Sequence, residues 1–145
     1  NLIPEDIKKN IYEEMKKNGN FGIHLHCPEA ATPKDGPSAG CAITLAIVSL
    51  LTNVKIKNDV ALTGEIDLNG SIHEIGGLEH KIEGGKAAGV KLVLYPSQNE
   101  KDIEQIKSKG YILDNKIQIK SVNNIWEVLD LCLVKNNIKF NKYTI

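Results

Sequence analysis

Residues 38–51 read Ser-Ala-Gly-Cys-Ala-Ile-Thr-Leu-Ala-Ile-Val-Ser-Leu-Leu and carry no charge over fourteen positions. A helix that is apolar all round has to be covered on most sides, so this stretch is expected to be the central, buried helix. The wider uncharged run from Gly36 to Asn53 is near the lower length limit for a membrane span, but Pro37, Ser38, Gly40, Thr44, Ser49 and Thr52 interrupt it. A buried helix of a globular domain fits that composition better than a span does. On its N-terminal side, Glu29 to Pro37 is a polar loop, and Phe21 to Cys27 is a β-branched and aromatic run bounded by Gly19-Asn20 and Pro28, which predicts a strand. Further back, Ile3, Ile7, Ile11 and Met15 recur every four residues among Glu and Lys. That spacing predicts one apolar stripe on a solvated helix over Glu5–Lys17, ended by Gly19.

On the C-terminal side the pattern alternates between strand and helix. Asp59 to Thr63 reads as a strand, and Glu65–Leu68 and Ser71–Ile75 flank Asn69-Gly70, the strongest short hairpin signal. Gly76-Gly77 breaks the strand, and Leu78 to Ala88 takes up helical spacing despite Gly84 and Gly85. Lys91–Tyr95 predicts a buried strand stopped by Pro96, Asn99–Lys109 a helix, Ile117–Lys120 a strand and Asn124–Val134 a helix. The fold class expected is mixed α/β. Three segments follow: an N-terminal helix leading in over 1–20, the folded body over 21–134, and an Asn/Lys-rich, weakly ordered tail over 135–145.

Composition narrows the function. The chain has 145 residues, enough for one core. Its 18 basic and 18 acidic residues cancel, and every basic residue is lysine. With no overall positive field and no arginine to read phosphates or guanines, nucleic acid and anionic membranes are not expected partners. Cys27, Cys41 and Cys132 are an odd number in apolar surroundings, as reduced intracellular thiols would be. The N-terminal residues lack the apolar core of a signal peptide.

The chemistry concentrates at Thr32-Pro33-Lys34-Asp35-Gly36-Pro37-Ser38-Ala39-Gly40, where a restricted loop enters the central helix. A serine there is placed like a nucleophile. Helix-terminal amides can stabilise an oxyanion, and small Ala39 and Gly40 admit a substrate backbone. The same position suits a serine that only caps the helix. A nucleophilic serine needs a base. Gly36-Pro37-Ser38-Ala39-Gly40 fits G-x-S-x-G, which would recruit Asp67 and His80 as acid and base. A nucleophile elbow follows a buried strand, however, and a polar loop precedes this serine. The other base is Lys81, which shares a helical stripe with Leu78, Ile82, Gly85 and Gly89. Burial would disfavour its charged form and fit it for proton transfer, whereas snorkelling to the surface is the bland alternative.

Thr63 and Glu65 at a strand end could bond such a lysine or line a peptide groove, or serve only the turn. His24 and His26 share a strand face; without a C-x-x-C, an H-E-x-x-H or a fourth ligand, structural histidines are favoured over zinc. No Walker-type phosphate loop occurs. A non-catalytic peptide-binding or ring-forming module is the competing class.

Taken together, these segments resemble the proteolytic domain of Lon, the ATP-dependent protease of bacteria and mitochondria. Pro33 to Gly40 looks like that family's nucleophile motif, Gly76-Gly77-Leu78-Glu79-His80-Lys81 like the segment bearing its lysine, and Thr63-Gly64-Glu65-Ile66 like the motif between them. His24-Leu25-His26 with Pro28-Glu29 is similar to the strand entering the active-site loop. The likeness covers Phe21 to Val134. It implies a fold akin to the second domain of ribosomal protein S5, and a Ser-Lys dyad in which Ser38 attacks and neutral Lys81 takes its proton, through an acyl-enzyme. It also implies that Thr63 positions Lys81, that Asp35 in the loop influences whether the site is open, and that Glu65 and His26 belong to the supporting shell. Gly36, Pro37 and Ala39 would line the oxyanion and substrate groove. By the same likeness the partners are unfolded polypeptide, an AAA+ ATPase module of the full-length protein and five further copies in a hexamer. No cofactor is expected in this domain, since ATP and Mg belong to the ATPase module. The implied compartment is bacterial-type cytoplasm or mitochondrial matrix. The chain alone would be a fragment or reduced homologue, cleaving short or unfolded peptides at best. Ala30, His73-Glu74 and Gly84-Gly85 depart from the family pattern, and the two glycines weaken the Lys81 helix by up to about 1 kcal/mol each.

Overall fold

A computed structural model describes residues 2–19, 22–26, 36–110, 117–135 and 137–141. It groups into two units, one of residues 37–137 and one of residues 1–36 with 138–145. In the smaller unit, helix α1 (Glu5–Asn18) carries Glu5 and Asp6 in its first turn and Lys16 and Lys17 in its last, the arrangement the helix dipole favours. Gly19 ends it in the left-handed conformation, as the sequence predicts. The tail meets the start of the chain there: the Asn141 amide donates to the Leu2 carbonyl at 3.0 Å. Residues 22–26 form no strand among the described residues, and His24 and His26 are exposed, with ring centroids 6.4 Å apart. The expectation of a strand with structural histidines is corrected in that respect: neither imidazole is buried.

The larger unit is built on a three-stranded parallel sheet in the order β1 (Val60–Leu62), β4 (Leu92–Pro96), β5 (Gln118–Val122). The central strand β4 is buried from Val93 to Pro96, which is why it reads as an uninterrupted apolar run. Helices α3 (Leu78–Ala87) and α4 (Glu100–Ser108) close one core around Val93 and Tyr95 with Leu78, Ile82, Ile103 and Ile106. Leu94 alternates to the opposite face. Helices α2 (Gly40–Thr52) and α5 (Ile125–Cys132) contribute further buried residues, Cys41, Leu45 and Val48 from α2 and Ile125, Val128, Leu129 and Cys132 from α5. Among the described residues α2 is less covered than its composition predicts, with Leu50 65% exposed. It tolerates Ser49 and Thr52 because their hydroxyls donate to the carbonyls of Val54 and Val48. Among the described residues no helix is long and apolar enough to cross a membrane.

The hairpin of β2 (Glu65–Ile66) and β3 (Ile72–His73) forms where Asn69-Gly70 predicts it, but with a different turn. Gly70 alone takes a positive φ, 84°, and its amide donates to the Asp67 carbonyl. The connection is therefore a three-residue loop closed by a left-handed glycine, not a two-residue turn with both residues left-handed. Asp67 organises it by accepting from the Asn69 and Ser71 amides at 2.8 and 3.0 Å.

Two glycines give opposite expectations. In α3, a Cβ at Gly84 would meet nothing within 4 Å. Gly84→Ala should therefore raise stability by about 0.5–1 kcal/mol through helix propensity and a less free unfolded chain. At Gly70 a Cβ would lie 3.0 Å from Ile125 and from Trp126 at a positive φ, so Gly70→Ala should lose about 1–3 kcal/mol. Urea midpoints at constant slope check both. Burial, aided by the neighbouring Cys132 thiol, pushes the Cys41 thiol up to about 12, and burial raises Cys132 to about 11 against the opposing Lys57 charge. The unfolded thiols ionise near the ordinary value of 9.0 and the folded ones do not, so the native state holds more protons above it. Their contribution to stability should be complete below pH 9 and fall away as pH rises toward 12. Cys41→Ala/Cys132→Ala should flatten that alkaline loss in urea titrations.

Candidate active site

Ser38 stands in a turn two residues before α2. The turn is closed by Gly40, whose amide donates to the Pro37 carbonyl at 2.9 Å, and Ala39 is the capping residue. The reading of Ser38 as a helix cap is thus corrected, since a cap has to sit against the first helical residue and Ala39 takes that place. Its hydroxyl is left for other partners. Gly36, with φ 85°, supplies the sharp bend before Pro37.

Lys81 reaches this turn from one turn inside α3. Gly77, left-handed at φ 67°, starts the helix, and the Lys81 amide closes its first turn onto the Gly77 carbonyl. Leu78, Ile82 and Gly85 of the predicted stripe are buried, Lys81 on their flank is half-buried, and Gly89 lies exposed beyond the helix end. The Lys81 Nζ donates to Ser38 Oγ across 3.4 Å. Both residues line a pocket of about 260 Å³ whose walls are Ala39, Ala42, Ala61, Leu62, Thr63 and Val93. Alkyl groups thus surround the Ser38 hydroxyl and the Lys81 amine, with Thr63 the other hydroxyl residue of the wall.

Thr63 is buried and donates from Oγ1 to the Ser38 carbonyl at 3.3 Å, so it acts on the backbone of Ser38 while sharing the pocket wall with Lys81. Its amide donates to the Leu94 carbonyl, which anchors it to the central strand. Gly64 adds two bonds: its amide donates to the Ser38 carbonyl at 2.9 Å, and its carbonyl accepts from the Cys41 amide at 3.1 Å. With the Gly40 and Cys41 amides already bonded, these two amides of α2 are not open oxyanion donors.

Other expected residues lie apart. Glu65 is half-buried on β2 opposite His73 and is not among those lining the Ser38 pocket; nor are Gly36 and Pro37. His26 is exposed in the smaller unit, and Asp35 lies outside the described residues. The Ser-His-Asp alternative does not assemble. Asp67 bonds to His73 Nε2 at 2.9 Å, and that imidazole, with the Ser71 and Asn69 amides, holds the carboxyl below the usual carboxylate range against the opposing desolvation. His80 is 88% exposed, its nearest carboxylate being Glu83 at 3.9 Å.

Two contributors carried no sequence signal. Asn99, read as the first residue of a helix, is buried, and its side-chain amide brackets Ile75: Oδ1 accepts from the Ile75 amide at 3.1 Å and Nδ2 donates to the Ile75 carbonyl at 2.9 Å. That pins the chain just before Gly76-Gly77 and hence the entry to the Lys81 helix. Pocket walls Ala42, Ala61 and Val93 looked like ordinary core.

The comparisons bear on this geometry. The model of the Lon protease C-terminal proteolytic domain matches residues 4–135. The Lon protease of Trichlorobacter lovleyi is 50% identical over 113 residues, covering 78% of this chain and 14% of that protein. That of Buchnera aphidicola subsp. Baizongia pistaciae is 50% identical over 122 residues, 82% of this chain and 15% of that protein, and that of Rickettsia bellii 42% identical over 124 residues, 86% and 15%. The chain thus matches about 15% of the length of such relatives. A family match that runs through the Ser38 turn, the Thr63-Gly64 crossing and the Lys81 helix alike leaves one conclusion: the chain belongs to the Lon protease C-terminal proteolytic domain family.

Proposed function

We propose that the chain hydrolyses peptide bonds with Ser38 as nucleophile and Lys81 as general base. The observation that carries this reading is the 3.4 Å approach of the Lys81 amine to the Ser38 hydroxyl in a pocket that both line. In its neutral form the amine accepts the Ser38 proton while Oγ attacks the carbonyl carbon of the substrate. The resulting ammonium then donates that proton to the departing amine, leaving Ser38 acylated. A water entering the vacated place gives its proton to the same amine and attacks the ester; as the bond to Ser38 Oγ breaks, the ammonium returns that proton to Oγ and the second product leaves with Ser38 restored. The separation is slightly beyond ideal proton-transfer reach and has to tighten when substrate is bound. The alkyl walls from Ala42, Ala61, Leu62 and Val93 support the desolvation this chemistry needs, and they suit an apolar side chain of an unfolded polypeptide.

The rest of the reading concerns the whole protein and leans on the relatives' name, Lon protease. It is an ATP-dependent protease of unfolded or damaged proteins, with an AAA+ module that binds ATP and Mg and delivers polypeptide to this domain. The domain needs no cofactor of its own. It works as a homo-hexamer in bacterial-type cytoplasm or the mitochondrial matrix, with neither nucleic acid nor membrane as partner of this domain. Asp35, Glu65 and His26 keep a supporting role in this reading.

In the intact protein, Ser38→Ala and Lys81→Met should each lower kcat on unfolded casein by about 10³-fold or more, as loss of a nucleophile or base does elsewhere. His80→Ala should leave kcat near wild type; the reverse pattern would favour the histidine-based hydrolase. Stoichiometric labelling of Ser38 by a peptide sulfonyl fluoride separates an enzyme from a peptide-binding module, which would bind peptide without labelling or turnover. Thr63→Val keeps the side-chain shape but removes the donor to Ser38, and kcat should fall about 10-fold, the equivalent of one hydrogen bond.

A further inference from the structure

Gly64 bonds the Ser38 turn with both of its backbone polar groups. Its amide holds the Ser38 carbonyl at 2.9 Å, and its carbonyl holds the Cys41 amide at 3.1 Å, so one residue spans the turn from nucleophile to first helical turn. There is no room for a side chain at this crossing. A Cβ on Gly64 would lie 2.6 Å from Ile72 Cγ2, with the Cys41 and Pro96 side chains at ordinary contact distances of 3.6 and 3.7 Å. The backbone of Gly64 is not in the left-handed region, so alanine is sterically allowed there by its own φ and the obstacle is that single methyl.

The methyl cannot easily give way. Ile72 is buried, is paired with Ile66 across the hairpin, and its amide donates to the Asn123 carbonyl at 2.8 Å. Its Cγ2 sits directly on a branched Cβ, which leaves it little rotamer freedom. On the other side Gly64 is attached only through hydrogen bonds to the Ser38 turn, and hydrogen bonds stretch more readily than a packed strand shifts. A side chain at position 64 would therefore displace Gly64 and, through its bond to the Ser38 carbonyl, move Ser38 relative to Lys81.

We propose that Gly64 is a positioning residue for Ser38, and that Ile72 is the backstop against which it sets the Ser38–Lys81 separation. This rests on the reading of Ser38 and Lys81 as the reacting pair. Gly64 itself touches no reacting atom; it acts through the Ser38 carbonyl.

The test uses the intact protein and a peptide substrate. Gly64→Ala is expected to lower kcat by about 10- to 100-fold, the scale of a displacement near 1 Å, with KM close to wild type and slower acylation of Ser38 by a sulfonyl fluoride. Ile72→Leu moves the branch from Cβ to Cγ at constant volume and should by itself be nearly silent. Combined with Gly64→Ala it should restore kcat to that of Ile72→Leu alone. A Gly64→Ala protein with wild-type kcat overturns the proposal. If Gly64→Ala does not fold, the double variant decides: folded with recovered kcat supports the backstop, and folded with kcat still depressed overturns it. Failure of the parent reading is visible separately, as retained activity in Ser38→Ala.

Discussion

A lysine amine serves a serine hydroxyl only while the distance between them holds, and that distance is set by two anchors on the same central strand. Ser38 is held by its own carbonyl, which accepts from the Gly64 amide and the Thr63 hydroxyl, with Thr63 in turn bonded to Leu94 of the central strand. Lys81 is held by its helix, which packs Leu78 and Ile82 against Val93 and Tyr95 of that strand and whose entry is pinned by Asn99. Strand β4 is thus the common reference for both groups. Each bond contributes only about 0.5–1.5 kcal/mol net to stability, whereas a reacting atom displaced by about 1 Å loses about 10²-fold in rate. The anchors therefore matter more to rate than to stability.

Much of this frame was legible because it rests on local signals. The four-residue spacing of Ile7, Ile11 and Met15 with Gly19 behind it gave α1, and Gly76-Gly77 followed by the Leu78 to Ile82 stripe gave α3 and put Lys81 beside its buried face. The hairpin was legible in place but not in turn type, since Asn-Gly suits more than one loop length. What selected the longer loop is Asp67, whose carboxylate gathers two amides and the His73 ring. The same bond removed Asp67 from the hydrolase triad that the G-x-S-x-G spelling suggested.

The rest was hidden because it is long-range. Nothing near Gly64 in sequence says that its amide will meet Ser38, 26 positions earlier, or that an isoleucine methyl will fill the space of its missing side chain. Asn99 looked like a polar residue at a helix start, and its bonds to Ile75 depend on how a strand end and a loop come together. Periodicity also overstated the cover on α2: a lack of charge shows that a helix tolerates burial, and which faces are buried depends on neighbours.

The paired glycines of α3 separate a cost from a device. Gly84 faces open space and only weakens the helix, whereas a Cβ at Gly85 would crowd Val93 at 3.2 Å and Val90 at 3.3 Å, so the glycine there lets α3 lie close on the sheet. Lys81 sits one turn earlier, and that close approach puts it in a pocket walled by Ala61, Leu62 and Val93. A lysine so placed has an apolar environment for its stem and a polar one for its tip. The two readings of Lys81 from sequence, a snorkelling side chain and a base, then describe one geometry: the stem lies among alkyl groups, and the amine donates to Ser38 Oγ.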